Sequence, residues 1–126
     1  MTTTMRYTTS ATATAASKLS DRYTKTEWKQ VLELSLVSAA YDGQKLVGLS
    51  HAHGNGPDWW IEHTIVHPDY RRQGIGNGIE DQLVEACIEA GATTIRGITT
   101  SRSHPFWDGR PDTRITRAFI GTRRVR

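Results

Sequence analysis

The stretch best suited to chemistry is Arg71-Arg72-Gln73-Gly74-Ile75-Gly76-Asn77-Gly78, two arginines running into spaced glycines. The first amides of a helix have no partner inside it, and the aligned peptide dipoles leave partial positive charge there. A Ser, Thr, Asp or Asn just ahead of the helix ordinarily accepts one of those amides. Here Arg71, Arg72 and Gln73 precede it, none a favoured cap, and Gly74 and Gly76 carry no side chain to block approach to the backbone. The chemistry on offer is capture of a phosphate or pyrophosphate by an uncapped, electropositive helix start. A bare G-x-G would be read as a tight turn with solvated arginines nearby. The arginines, the missing cap and the surrounding pattern favour the anion.

That pattern is strand, turn, helix. An apolar run over residues 59–67 stops at Pro68 and reads as a strand. The helix expected over 74–90 places Ile75, Ile79, Leu83, Val84, Cys87 and Ile88 on one face, with Glu80, Asp81, Glu85 and Glu89 mostly elsewhere. Gly91 stands at the C-terminal cap position. Residues 93–100 form another strand, and a strand on each side of one helix makes a crossover with parallel neighbours. Upstream, residues 5–10 suit a first strand and residues 1–4 suit disorder. Residues 11–16 are a Thr/Ala low-complexity stretch, and Leu19, Tyr23 and Trp28 are spaced loosely for a helix broken near Lys25. Residues 26–33 make a better helix, with Thr26 as its cap. Strands over 34–41 and 45–53 flank an Asp42-Gly43 turn, and residues 54–58 form a breaker-rich loop. Residues 103–108 suit a short helical turn and residues 113–122 a closing edge strand.

The 126 residues suffice for one domain, spanning 1–126, and not for two. No run of about 18 apolar residues exists, so no membrane span is expected, and the start lacks the apolar core of a secretory signal. The lone cysteine, Cys87, fits a reducing, cytoplasmic compartment and reads as a core thiol rather than a nucleophile. Net charge is +3, unevenly spread. Arg102, Arg110, Arg114, Arg117, Arg123, Arg124 and Arg126 crowd the last quarter against Asp108 and Asp112. Such a tail suits nucleic acid, an acidic protein or a polyphosphate cofactor, and equally a basic edge strand.

The element order and the sequence Val66-His67-Pro68-Asp69-Tyr70-Arg71-Arg72-Gln73-Gly74-Ile75-Gly76 resemble the GNAT superfamily of acetyl-CoA-dependent N-acetyltransferases. Its signature is Arg/Gln-x-x-Gly-x-Gly/Ala after a strand ending in Val-x-Pro, which Arg71, Gly74 and Gly76 meet. The hairpin Asp42-Gly43-Gln44-Lys45-Leu46-Val47-Gly48 matches the family's second and third strands. The resemblance implies an α/β (α+β) fold with a mixed sheet of about six strands, splayed at residues 59–67, flanked by helices and shortened at its C-terminal part. It implies acetyl-CoA as acyl donor in the opening. The amides of Arg72, Gln73, Gly74, Ile75, Gly76 and Asn77 would hold the pyrophosphate, the backbone at Ile65 and Val66 the pantetheine arm, and Arg71 or Arg72 a phosphate oxygen.

In that family an amine attacks the thioester directly, and a carboxylate on the strand before the motif often serves as base. Glu62 is the acid on that strand. Alternation places it on one sheet face with Thr64 and Val66, with His63 opposite as a weaker base; a solvent-facing carboxylate is the bland alternative. Many members carry a later Asn and a Tyr that protonates the thiolate, but here no Tyr follows Tyr70 and no Asn follows Asn77. Phe106-Trp107 stands where Phe-Tyr is expected, and indole is no acid. Ser101, Ser103 and His104 are substitutes, with His104 the best acid on pKa grounds, and the thiolate can also leave unprotonated. His51 and His53 share a strand face. Without a Cys or carboxylate cluster they are assigned to an acceptor cleft or a sheet surface rather than to a metal. Trp59 and Trp60 read as acceptor wall or packing.

The leading expectation is therefore acetyl transfer to a primary amine of a small molecule or protein. A weakly catalytic acetyl-CoA-binding regulatory module comes second, and a tRNA-directed acetyltransferase third, with nucleic acid not favoured as a partner. The short C-terminal part leaves room for a homodimer to complete the sheet.

Overall fold

The computed structural model describes residues 5–62, 64–98, 113–115 and 120–124. The expectations for residues 1–4, His63, Ser101, Ser103, His104, Phe106-Trp107 and the turn at 103–108 lie outside the described residues.

The chain opens with strand β1 (Met5–Thr8), after which the Thr/Ala stretch is helical rather than featureless. Alanine is the best helix former, and Thr12 caps α1 (Ala13–Leu19) by accepting the Ala15 amide at 3.1 Å. The second helix, α2 (Lys25–Leu34), is capped by Thr24, not Thr26. The reason lies three residues on. Thr24 has Glu27 at that spacing, so its hydroxyl accepts the Glu27 amide at 3.2 Å while the Glu27 carboxylate accepts the Thr24 amide at 2.9 Å. Thr26 has Lys29 there and cannot close this box. The amide held by the box keeps the Glu27 carboxyl below its ordinary pKa.

Strands β2 (Leu36–Asp42) and β3 (Lys45–Asn55) form the expected hairpin, followed by β4 (Asp58–Ile61) and β5 (Ile65–Val66). Helix α3 (Ile75–Glu89) and β6 (Thr94–Ile98) complete the crossover, and β7 (Thr113–Ile115) and β8 (Ile120–Arg124) close the sheet as a short antiparallel pair. The order is β1-β2-β3-β4-β6-β8-β7, with β5 paired to β3. Thus the six expected strand regions appear as eight described segments, because residues 59–67 and 113–122 each contribute two. The β4–β6 pair is parallel, as the crossover requires, and every other pair is antiparallel.

Helix α3 covers one face of the sheet. Leu83, Val84 and Cys87 pack against Ala52, Ile61 and Ile95, while Ile75 and Ile79 pack against Ala40 and Val47. The buried Ser38 hydroxyl donates to Ile79 O at 2.7 Å and ties the helix to β2. Two positions depart from the helix pattern. Glu80 is buried, since it lies one turn ahead of Val84 in the same row, and Ile88 at the helix end is exposed. Gly91 takes a left-handed φ of 103° at the helix end, the capping role expected of it. Helices α1 and α2 cover the other face, where Ala16 and the fully buried Trp28 pack against Val37, Ala39, Leu46 and Leu49. Among the described residues no helix is long and apolar enough to cross a membrane.

Candidate functional site

The site grows from a register change beside β3. Ala52 faces Ile61, yet Leu49 faces Ile65, so three steps along β3 answer four along its neighbour. The extra residue is a bulge between β4 and β5, anchored where Glu62 N donates to His51 O at 2.9 Å and the Ser50 hydroxyl donates to Glu62 O at 3.2 Å. Because side chains alternate with period two, one inserted residue exchanges the faces beyond it. Glu62 therefore lies on the α1/α2 face with Arg22 and His53, whereas Val66 packs on the α3 side with Ile75 and Ile79. The expectation that Glu62, Thr64 and Val66 share one face is thus corrected by the bulge.

The same bulge separates two described pairings. β4 pairs with β6 as far as Ile61↔Gly97, while among the described residues β5 pairs with β3 alone. His67 N donates to Val47 O at 2.7 Å. By antiparallel alternation Ile65 then exchanges its bonds with Leu49, and Val66 turns its N–H and C=O away from β3. Of the two residues expected to bind a pantetheine arm, Val66 has its backbone directed away from β3 and Ile65 holds the strand to β3.

Past β5 the chain makes a 3₁₀ turn (Pro68–Tyr70) in which His67 Nδ1 accepts the Asp69 amide at 3.1 Å. The Tyr70 hydroxyl donates to Asp42 at 2.6 Å, which raises its pKa and ties the turn to the β2–β3 hairpin. Arg72 has a left-handed φ of 64°, the one non-glycine residue described with positive φ, and Gly74 has φ 78° and ψ 5°. Two left-handed residues within three positions bend the backbone tightly into α3 and leave a candidate anion nest at its start. Helix α3 then starts with no side-chain cap, and a Cβ built on Gly74 meets nothing within 4 Å. Arg72, Gln73 and Gly74 are exposed, Ile75 is buried, and Gly76 and Asn77 complete the first turn. Arg71 donates through Nε to Val66 O at 3.2 Å, bracing the strand end against the nest. The residues present fit the diphosphate and amide-bearing arm of an acyl-CoA.

On the other face, the Glu62 carboxylate lies 3.7 Å from the Arg22 guanidinium and 3.8 Å from His53 Nδ1. His51, cross-strand from Glu62, packs its ring among Tyr23 and Trp28 with centroids 6.4 and 6.0 Å away. Burial pushes its pKa down to about 4; Glu62 opposes this, while Arg22 and His53 add to it. His51 is thus neutral at neutral pH, and its buried Nδ1 has no hydrogen-bond partner among the described residues. The histidine pair lines the Glu62 face, and among the described residues no group of three metal-ligating side chains is assembled. Trp59 packs with the α3-side core and is a structural residue, while Trp60, opposite His53, shares the Glu62 face. Cys87 is buried, and its pKa is raised to about 11, so it stays a thiol.

Four contributors escaped sequence reading. Arg22 and Ser50 carry no local signature, since one acts from the α1–α2 loop and the other through the bulge. Gly48 and Gly78 do so by having no side chain: a Cβ on Gly48 would collide with Ile79, and one on Gly78 would lie 2.7 Å from the Tyr7 ring. The glycine beside the expected hairpin was the available signal for Gly48.

No curated protein matches the chain by sequence. Among solved structures it is similar to the PaiA N-acetyltransferase of Thermoplasma acidophilum, determined with coenzyme A, at 11% identity and TM-score 0.82 over 96% of this chain and 99% of that one. It is similar to the ribosomal-protein-S18-alanine N-acetyltransferase of Escherichia coli at 14% identity and TM-score 0.77, over 97% and 94%. A GNAT family protein of Streptococcus pneumoniae is 24% identical, with TM-score 0.70 over 85% and 84%. Residues 4–108 match the model of the Acetyltransferase (GNAT) family, which spans the bulge, the nest and α3 together, and the chain belongs to that family.

Proposed function

We propose that the protein transfers an acetyl group from acetyl-CoA to a primary amine of a small molecule or protein. The observation that carries this reading is the uncapped start of α3, entered through left-handed Arg72 and Gly74 directly after a strand whose Val66 backbone is turned away from β3. Amides of Arg72, Gln73, Gly74, Ile75, Gly76 and Asn77 bind the pyrophosphate, and Arg72 adds charge to it. Arg71 keeps Val66 aimed at the opening, where Val66 bonds the pantetheine arm and Ile65 secures the strand.

The bulge sets the direction of attack. It puts Glu62 on the α1/α2 face while the donor runs along the open edge, so the amine enters from the helix-covered side. Glu62 takes the proton from the ammonium, freeing the lone pair for the thioester carbon. His104 is assigned to protonate the departing thiolate.

The test is thiol release from acetyl-CoA with a panel of amines. Glu62→Gln is expected to lower kcat by roughly 10²–10⁴-fold while leaving acetyl-CoA affinity unchanged. Acetyl-CoA binding without thiol release from any amine would point instead to a regulatory CoA-binding module.

A further inference from the structure

We infer that Arg22 selects an acceptor carrying an anionic group beside its amine, of the α-amino acid kind: ammonium at Glu62, carboxylate on Arg22. This rests on the N-acetyltransferase reading above and narrows its substrate class.

The Arg22–Glu62 pair is open rather than closed. Its 3.7 Å separation is well beyond the roughly 2.7–2.9 Å of a direct charge-assisted hydrogen bond. Among the described residues the Glu62 carboxylate accepts no hydrogen bond, and the guanidinium has as further contact the Tyr23 ring, 5.6 Å away. Two opposite charges stand side by side, each partly exposed and without a direct side-chain hydrogen bond among the described residues.

Arg22 is also held in place. Its amide donates to the Ser20 hydroxyl at 3.2 Å, and the Ser20 carbonyl accepts the Trp28 indole N–H at 3.3 Å. Trp28 is fully buried and meets Tyr23 edge-on at 4.9 Å. The α1–α2 loop is therefore pinned to the core through Trp28, with the Tyr23 face steering the guanidinium toward Glu62. A planar guanidinium so presented suits two-point binding of a carboxylate.

Charge then discriminates among amines. A simple alkylammonium seated at Glu62 would lie beside the Arg22 guanidinium and be repelled. A zwitterion instead replaces one loose ion pair with two direct ones. His51 is neutral and neither opposes nor mimics this pattern, and His53 faces Glu62 from the exposed side. A peptide amino terminus has no carboxylate next to its amine and lacks the second contact.

The proteinogenic L-amino acids and their α-amides are compared on the full chain as wild type, Arg22→Gln and Arg22→Lys. Calorimetric binding in the presence of CoA and thiol release from acetyl-CoA are both read. At least one amino acid is expected to bind about tenfold or more tighter than its amide. Arg22→Gln should bring that ratio near one, and Arg22→Lys should keep an intermediate preference, which a loop merely disturbed by substitution would not. Equal binding of acids and amides, an unchanged ratio in Arg22→Gln, or no binding by any amino acid overturns the inference. Carboxylate-dependent binding without thiol release upholds it and removes the transferase reading. Thiol release without carboxylate preference does the reverse.

Discussion

His51 is a histidine kept neutral by its surroundings, and the cost of charging it gives the protein a measurable acid sensitivity. Its folded pKa is about 4, against an ordinary value of 6.5. Above pH 6.5 both folded and unfolded chains hold it neutral, and stability is unaffected. Below that the unfolded chain takes up a proton the folded one refuses, so stability falls by about 1.4 kcal/mol per pH unit. The loss continues until the folded pKa is reached, for a total of roughly 3 kcal/mol. His51→Phe is expected to flatten this part of the profile in urea unfolding between pH 6.5 and 4; parallel profiles would assign the slope to other groups. That His51 and His53 share a strand face was legible from their spacing. That one is buried and the other exposed was not, because burial depends on Trp28 and Tyr23, which reach it from α2 and the loop before it.

Element boundaries followed local chemistry wherever that chemistry was complete in the sequence. The α3 cap glycines and the Asp42-Gly43 turn are examples, since each depends on a few adjacent residues. The α2 cap lies two residues ahead of the expected one because Thr24 and Thr26 are equally good caps alone, and only the reciprocal bond from Glu27 separates them. Which face of α3 is buried was legible, but which residues it meets was not. Gly48 lets the first turn of α3 press onto β3, and a Cβ there would strike Ile79 and stand 3.3 Å from Ile75. Gly48→Ala is therefore expected to lift the nest end of α3, costing about 1–3 kcal/mol of stability and weakening acetyl-CoA binding in parallel. Urea midpoints and calorimetry measure the two effects. Full affinity in a destabilised variant would mean that the nest moves as a unit and does not depend on this contact.

At the scale of the molecule, the proposed donor site joins three separate parts: β5, the 3₁₀ turn fastened to the hairpin through Tyr70 and Asp42, and the start of α3. A ligand that bridges them should stabilise the whole fold. At acetyl-CoA concentrations of 100 times Kd the gain is about 2.7 kcal/mol, seen as a rise in melting temperature. Gly76→Glu places a carboxylate where the pyrophosphate is proposed to be held. It should abolish that rise while leaving the ligand-free melting temperature nearly unchanged, since Glu is a better helix former than Gly. A ligand-induced rise surviving in Gly76→Glu would remove the pyrophosphate from the nest.

Sequence alone determined what is encoded over short distances. The periodicity of residues 74–90, the glycine-rich turn, the hairpin and the crossover all depend on neighbours a few positions apart, and together they carry the family's signature. Tertiary structure decided which side chains meet. A single extra residue between Ile61 and Ile65 changed the face of every position beyond it, and nothing in the local sequence marks that residue, because a bulge is a property of two paired strands. The same holds for Arg22 beside Glu62 and for Ser50 beneath it: their chemistry exists only once β3, β4 and the α1–α2 loop are packed together. The donor site was legible because a helix start binds anions through its own backbone. On the proposed acceptor side Glu62, His51 and His53 were legible one by one, but Arg22 was not, because the fold alone makes it their neighbour.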